Sequence, residues 1–165
     1  FGTLKPMIDK DPTNQLKQKQ IEMTTDVMSH SLIYWTQDLF NNKLLNENSQ
    51  IISMTSAGGN KQWKNYGAVS LAKSSLESAT RQLALELAPF KIACNAIEAG
   101  VTITAALEKI PDFQSMIDRT LKLNPHKRLT LPIDIANAVV MLCLHNTSWI
   151  TGNTIKVDGG ETLTN

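Results

Sequence analysis

Gln50-Ile51-Ile52-Ser53-Met54-Thr55, then Ser56-Ala57-Gly58-Gly59-Asn60, then Val69, Ala72, Leu76, Ala79, Leu83 and Leu87 spaced three or four apart: this stretch decides the fold. The first six residues are a short apolar run, read as a buried strand. The Ser/Gly cluster breaks that run as a loop. The apolar spacing beyond it is that of one helix face, and Pro89 ends the helix.

Working outward, Ile92-Ala93-Cys94-Asn95-Ala96-Ile97 is a second strand, closed by Ala99-Gly100. Asn153 to Val157 is a third, ended by Asp158-Gly159-Gly160. Between them, Thr104 to Leu123 gives one or two helices interrupted near Pro111. Pro132 opens another, with Ile135, Ala138, Val139 and Leu142 inward. Upstream, Leu16 to Leu45 reads as mostly helical, with Thr13 or Asn14 as N-cap after Pro12. Strands alternating with helices predict an α/β fold of parallel βαβ units, with helices on both faces of the sheet. A doubly wound sheet has two βαβαβ halves, and three strands amount to one.

Composition narrows the chemistry. The chain has 165 residues, 42% hydrophobic and 19% charged, which suits one domain with a sizeable core. Sixteen basic against fifteen acidic side chains leave a net charge of +1, so charge gives no case for nucleic acid or an anionic membrane as partner. No apolar run reaches the roughly 18 residues of a transmembrane helix. Cys94 and Cys143 are too few for a disulfide scaffold, and His30, His126 and His145 are scattered without metal-ligand spacing. A reducing, cytoplasmic setting is the expectation. Asn146-Thr147-Ser148 matches a glycosylation sequon that a cytosolic chain would never use.

Tyr66 and Lys73 lie seven apart on the strongest helix, two turns on one face. Long helical side chains lean toward the N-terminus, so Lys73 reaches back toward Tyr66. A nearby ammonium favours a phenolate and lowers a tyrosine pKa, which suits a proton donor or an oxyanion stabiliser. Spacing alone is equally met by two surface residues.

The run Asn65-Tyr66-Gly67-Ala68-Val69-Ser70-Leu71-Ala72-Lys73-Ser74-Ser75-Leu76-Glu77 resembles the active-site helix of the short-chain dehydrogenase/reductase superfamily. Val69 stands where the usual superfamily tyrosine would be, and the Tyr-x6-Lys spacing resembles enoyl-acyl carrier protein reductases. Ser56, ten residues before Tyr66, is similar to the class III, NADPH-using enoyl reductases, and also to the ordinary superfamily choice. Asn95-Ala96-Ile97-Glu98-Ala99-Gly100, Pro132-Ile133-Asp134-Ile135-Ala136 and Val157-Asp158-Gly159-Gly160 resemble later superfamily segments in order.

The resemblance implies a Rossmann-like doubly wound parallel sheet. Residues 1–165 would be its C-terminal, catalytic and substrate-binding portion, with the first βαβ nucleotide-binding half absent from the chain and expected upstream of Phe1. The implied activity is NAD(P)H-dependent reduction of trans-2-enoyl thioesters, on acyl carrier protein or coenzyme A, in fatty acid biosynthesis. NADPH and NADH both remain open. Tyr66 would stabilise the enolate oxygen, Lys73 would hold the nicotinamide ribose, and Ser56 would assist at the thioester. Gly100 would end the strand beside the nicotinamide, with backbone groups of Val101 and Thr102 on the carboxamide and Thr104 on a phosphate. Thr104 to Leu123 would form a mobile substrate lid.

Alternatives stand beside these roles. Ser56 suits an ST-turn, and Thr102 or Thr104 suits an N-cap. The whole suits a 3-oxoacyl-acyl carrier protein reductase-like carbonyl reductase, or a non-catalytic fragment. Asp158-Gly159-Gly160 is expected to be a turn with a role in subunit packing. Ala68, Leu71, Ser75, Ser78 and Leu85 form a second stripe on the main helix that would let a partner helix approach. With an edge position for the last strand, it predicts a homo-tetramer.

Overall fold

The computed structural model describes residues 2–144 and 147–163; His145 and Asn146 of the sequon lie outside them. Helix α1 (Gln18–Thr25), a π turn (Asp26–His30) and α2 (Ser31–Asn41) run into strand β1 (Gln50–Ser56). Helix α3 (Gly67–Leu87) leads to β2 (Ala93–Ala99). Helices α4 (Phe113–Leu123) and α5 (Pro132–Leu142) precede β3 (Thr154–Val157).

The three strands form one parallel sheet in the order β1-β2-β3. Gln50 pairs with Ala93 and Ser56 with Ala99, so β1 and β2 end level. On the other side Ala96 pairs with Thr154 and Ala99 with Val157. The last strand therefore lies at an edge, and β2 is central, with Ala93 through Glu98 all buried.

The core lies between α3 and the sheet. Leu83, Ala84 and Leu87 of α3 pack on Ile92 and Cys94, with Leu32, Phe40, Leu45 and Ile51 around them. Burying each such side chain stabilises the fold by about 1.5–3 kcal/mol. Pro89 ends α3 as expected: Ala88–Phe90 tightens to a 3-10 turn and Lys91 turns left-handed, at φ 57°. Pro132 opens α5, where the Asp134 carboxylate accepts the Leu131 amide at 2.9 Å and a bidentate pair from Arg128.

Two expectations are corrected. Neither Thr13 nor Asn14 caps α1. Asp11 accepts the Thr13 amide at 2.9 Å and closes a separate 3-10 turn, Pro12–Asn14. Gln15 is then extended, and α1 starts only after Lys17, whose amide donates to the Gln20 side chain. The second stripe of α3 is also divided. Ala68 is fully buried, and Ser75 accepts a 2.9 Å hydrogen bond from Ser29 of the π turn. These small residues admit the chain's own α1 and π turn, which leaves Leu71, Ser78 and Leu85 exposed.

Candidate active site

The level ends of β1 and β2 place the Ser56 loop and the Gly100 loop side by side. Ser56 is the last residue of β1, and Tyr66 is the residue before α3. Gly58 lies under the Tyr66 ring: a Cβ there would fall 2.5 Å from Tyr66 Cε1 and 3.3 Å from Ser56 Oγ. Glycine thus makes room for the ring beside Ser56. Trp63 meets that ring edge-on, with centroids 5.9 Å apart. The sequence-predicted Ser56 and Tyr66 are brought together.

Burial pushes the Tyr66 phenol up, opposed by the nearby Ser56 hydroxyl, which pulls it down. The expected lowering by Lys73 is therefore corrected: burial dominates. Lys73 Nζ donates instead to the Met54 carbonyl at 2.7 Å, which anchors it along β1. Burial lowers the Lys73 pKa, and Glu77, one turn further on, raises it. Ser56 Oγ is itself buried and makes no full hydrogen bond among the described residues. A buried hydroxyl without a partner is costly, and this one stands beside the tyrosine.

Beyond β2, Gly100 is required by close approach. A Cβ there would collide with Thr130 Oγ1 and crowd Asp158 Cα. Both main-chain groups of Val101 are engaged within the chain. Its amide donates to Glu161 Oε2 at 3.0 Å, and its carbonyl accepts from the Thr130 amide at 3.1 Å. Thr102 keeps its amide and carbonyl outside any hydrogen bond among the described residues; its hydroxyl donates to the Gly100 carbonyl. Thr104 Oγ1 accepts the Leu107 amide at 3.2 Å, at the start of the 3-10 turn Leu107–Lys109.

A cavity of about 670 Å³ opens between the Ser56–Tyr66 loop and α4, with Ala57, Trp63, Val101, Met116, Arg119 and Glu161 among its walls. Its volume is in the range of small-molecule sites. Helix α4, within the stretch expected to be a lid, is one wall.

Sequence reasoning passed over three acids. Glu77 accepts the Thr55 hydroxyl at 2.7 Å. Glu98, the partner of Thr55 across the ladder, is 1% exposed, and neither carboxylate oxygen has a partner among the described residues. Burial pushes the Glu98 pKa up, Lys156 opposes it, and Glu77 adds to it. Glu161 follows the Asp158-Gly159-Gly160 turn, and its position directly after that signature was the one available signal.

Comparison with known proteins gives consistent matches. Residues 2–162 match the family described as Enoyl-(Acyl carrier protein) reductase. The chain is 29% identical over 156 residues to the NADH enoyl-[acyl-carrier-protein] reductase of Escherichia coli, covering 94% of this chain and 59% of that one. It is 33% identical over 142 residues to the Enterococcus faecalis enzyme of the same name, covering 86% and 56%. The chain therefore spans less than two thirds of the length of these curated relatives. Among solved structures, the NADH enoyl reductase of Aquifex aeolicus superposes with a TM-score of 0.84 at 29% identity, over 94% of this chain and 60% of that one. The Bacillus cereus enoyl reductase, solved with NADP+ and an indole naphthyridinone, gives 0.84 at 27% identity, over 90% and 57%.

Proposed function

The chain belongs to the enoyl-(acyl carrier protein) reductase family, and from that premise we propose that the intact protein reduces the double bond of trans-2-enoyl thioesters in fatty acid biosynthesis. The observation that carries this reading is the placement of Ser56 and Tyr66 together at the end of β1, with Lys73 on the same helix and the 670 Å³ cavity beside them. On this reading the 165 residues are the catalytic and substrate-binding portion of a single reductase domain.

The cofactor is NADH or NADPH: the curated relatives above are named as NADH enzymes, and the Bacillus cereus structure holds NADP+. The residues present fit such a group. Thr102 offers main-chain groups with no partner among the described residues, while Val101 does not, so the carboxamide contact would fall to Thr102. Lys73 would hold the ribose, Gly100 would let the backbone pass closely, and Thr104 would serve the phosphate side. Such a group would supply a hydride for the β-carbon of the thioester.

The Tyr66 phenol then donates a hydrogen bond to the thioester oxygen as it gains enolate charge. Its raised pKa keeps that proton in place near neutral pH. Ser56, its hydroxyl buried beside the ring, acts on the Tyr66 phenol and pulls its pKa down. Lys73 Nζ is held on the Met54 carbonyl along β1. Trp63 and α4 exclude water from the cavity.

The substrate is an enoyl group on acyl carrier protein or coenzyme A, and the setting is the cytoplasm; among the described residues no helix is long and apolar enough to cross a membrane. A homo-tetramer is the proposed assembly. Leu71 and Leu85 of α3 are exposed, as are Trp35, Val27 and Met23 of the preceding helical segment, and β3 is at an edge of the sheet. The test is oxidation of NADH and NADPH by the intact protein with crotonyl and acetoacetyl thioesters. Faster turnover of crotonyl supports the enoyl reading; faster turnover of acetoacetyl makes the protein a carbonyl reductase.

A further inference from the structure

We propose that Glu161 is a positioning residue that ties the cofactor-side loop to the α4 wall of the substrate cavity; the proposal rests on the reading above for the roles of those two elements. One carboxylate oxygen accepts the Val101 amide at 3.0 Å, and the other accepts the Thr120 hydroxyl of α4 at 3.3 Å. Thr120 is buried, so the tie reaches the inner side of α4.

The base of the tie is rigid. Asp158 accepts the Gly160 amide at 2.9 Å, the Thr162 amide at 3.0 Å and the Thr162 hydroxyl at 2.7 Å. Asn124, just past α4, donates to the Asp158 carbonyl at 3.0 Å. Gly159 and Gly160 take positive φ and set the turn that presents Glu161. The Asp158-Gly159-Gly160 segment is thus the mount for a carboxylate that lines the cavity.

Glu161 therefore joins three chain segments distant in sequence: the loop after β2, helix α4 and the turn after β3. Hydrogen bonds to a charged group contribute more than neutral ones. Their loss frees the loop and the wall together. The geometry also accounts for the engaged Val101 amide: it is a structural anchor, and it sets the conformation that leaves Thr102 available.

Amide hydrogen exchange in the intact protein, resolved at Val101 and across α4, tests this without cofactor. Glu161→Ala should speed exchange at both places by about tenfold or more. Glu161→Gln should restore slow exchange, because its amide offers an acceptor to Val101 and a donor to Thr120. Thr120→Val should loosen α4 alone and leave Val101 protected. In turnover with crotonyl thioester, Glu161→Ala should raise the KM values for thioester and dinucleotide together, with a smaller change in kcat. Unchanged exchange in both Glu161→Ala and Thr120→Val overturns the proposal, as does Glu161→Gln behaving like Glu161→Ala. A protein that shows the exchange pattern yet reduces no enoyl thioester defeats the enoyl reading and leaves the tie standing.

Discussion

Adding one methyl group at Gly58 tests the site through its tightest contact. The new Cβ would stand 2.5 Å from Tyr66 Cε1 and 3.2 Å from Cδ1, where ordinary contact begins at 3.4 Å. The ring must therefore retreat by about 1 Å. Overpacking of this kind costs about 1–3 kcal/mol, or a few degrees in Tm for a chain of this length. A misplacement of about 1 Å in a positioned catalytic group costs roughly a hundredfold in rate. Gly58→Ala should thus lose about a hundredfold in kcat/KM for crotonyl thioester while circular dichroism reports a folded protein. Gly59→Ala is the control: its Cβ meets the Glu77 carboxylate, the far end of a flexible side chain that can yield. It should stay within a few-fold of the parent. Equal rates for Gly58→Ala and the parent would refute the placement of Tyr66 against this glycine.

Other outcomes follow from named contacts. Glu98 keeps its proton more tightly folded than unfolded, so the folded state binds more protons above pH 4.5 and stability falls as pH rises from there. Glu98→Gln should remove that slope, with a Tm above the parent at pH 8 and a gap that closes toward pH 4; a gap independent of pH in thermal melts contradicts it. Lys73→Ala should weaken dinucleotide binding about tenfold or more in fluorescence titration, as well as slowing turnover; unchanged affinity removes Lys73 from the cofactor site. Leu71→Glu places a charge on the exposed side of α3 and should shift the assembly toward smaller species in light scattering. A stable monomer of the parent at micromolar concentration would end the tetramer proposal.

The parts of the fold set by periodicity were legible in the sequence. Val69, Ala72, Leu76, Leu83 and Leu87 mark one side of α3 and are buried, and Ala79 of the same stripe is half-buried. The apolar runs of β1 and β2 bounded both strands within a residue or two. What escaped reading is packing between polar surfaces. Ser29 and Ser75 meet where the π turn approaches α3, and no hydrophobic pattern marks that contact. The site divides the same way. Tyr66, Lys73 and Ser56 could be named as candidates because their spacing is local and resembles a family motif, whereas Glu161 meets Val101 and Thr120 from 60 and 41 residues away. Glu98 reads as a surface acid by residue type, yet it lies in the central strand, where both neighbours and α3 cover it.

The most direct test of enoyl reduction at Tyr66 is crotonyl thioester-dependent oxidation of NADH or NADPH by the intact protein, parent against Tyr66→Phe. The parent should turn over crotonyl faster than acetoacetyl thioester, and Tyr66→Phe should be slower by about 10²–10⁴-fold with an unchanged Tm. Tyr66→Phe turning over crotonyl thioester at the parent rate would contradict the account.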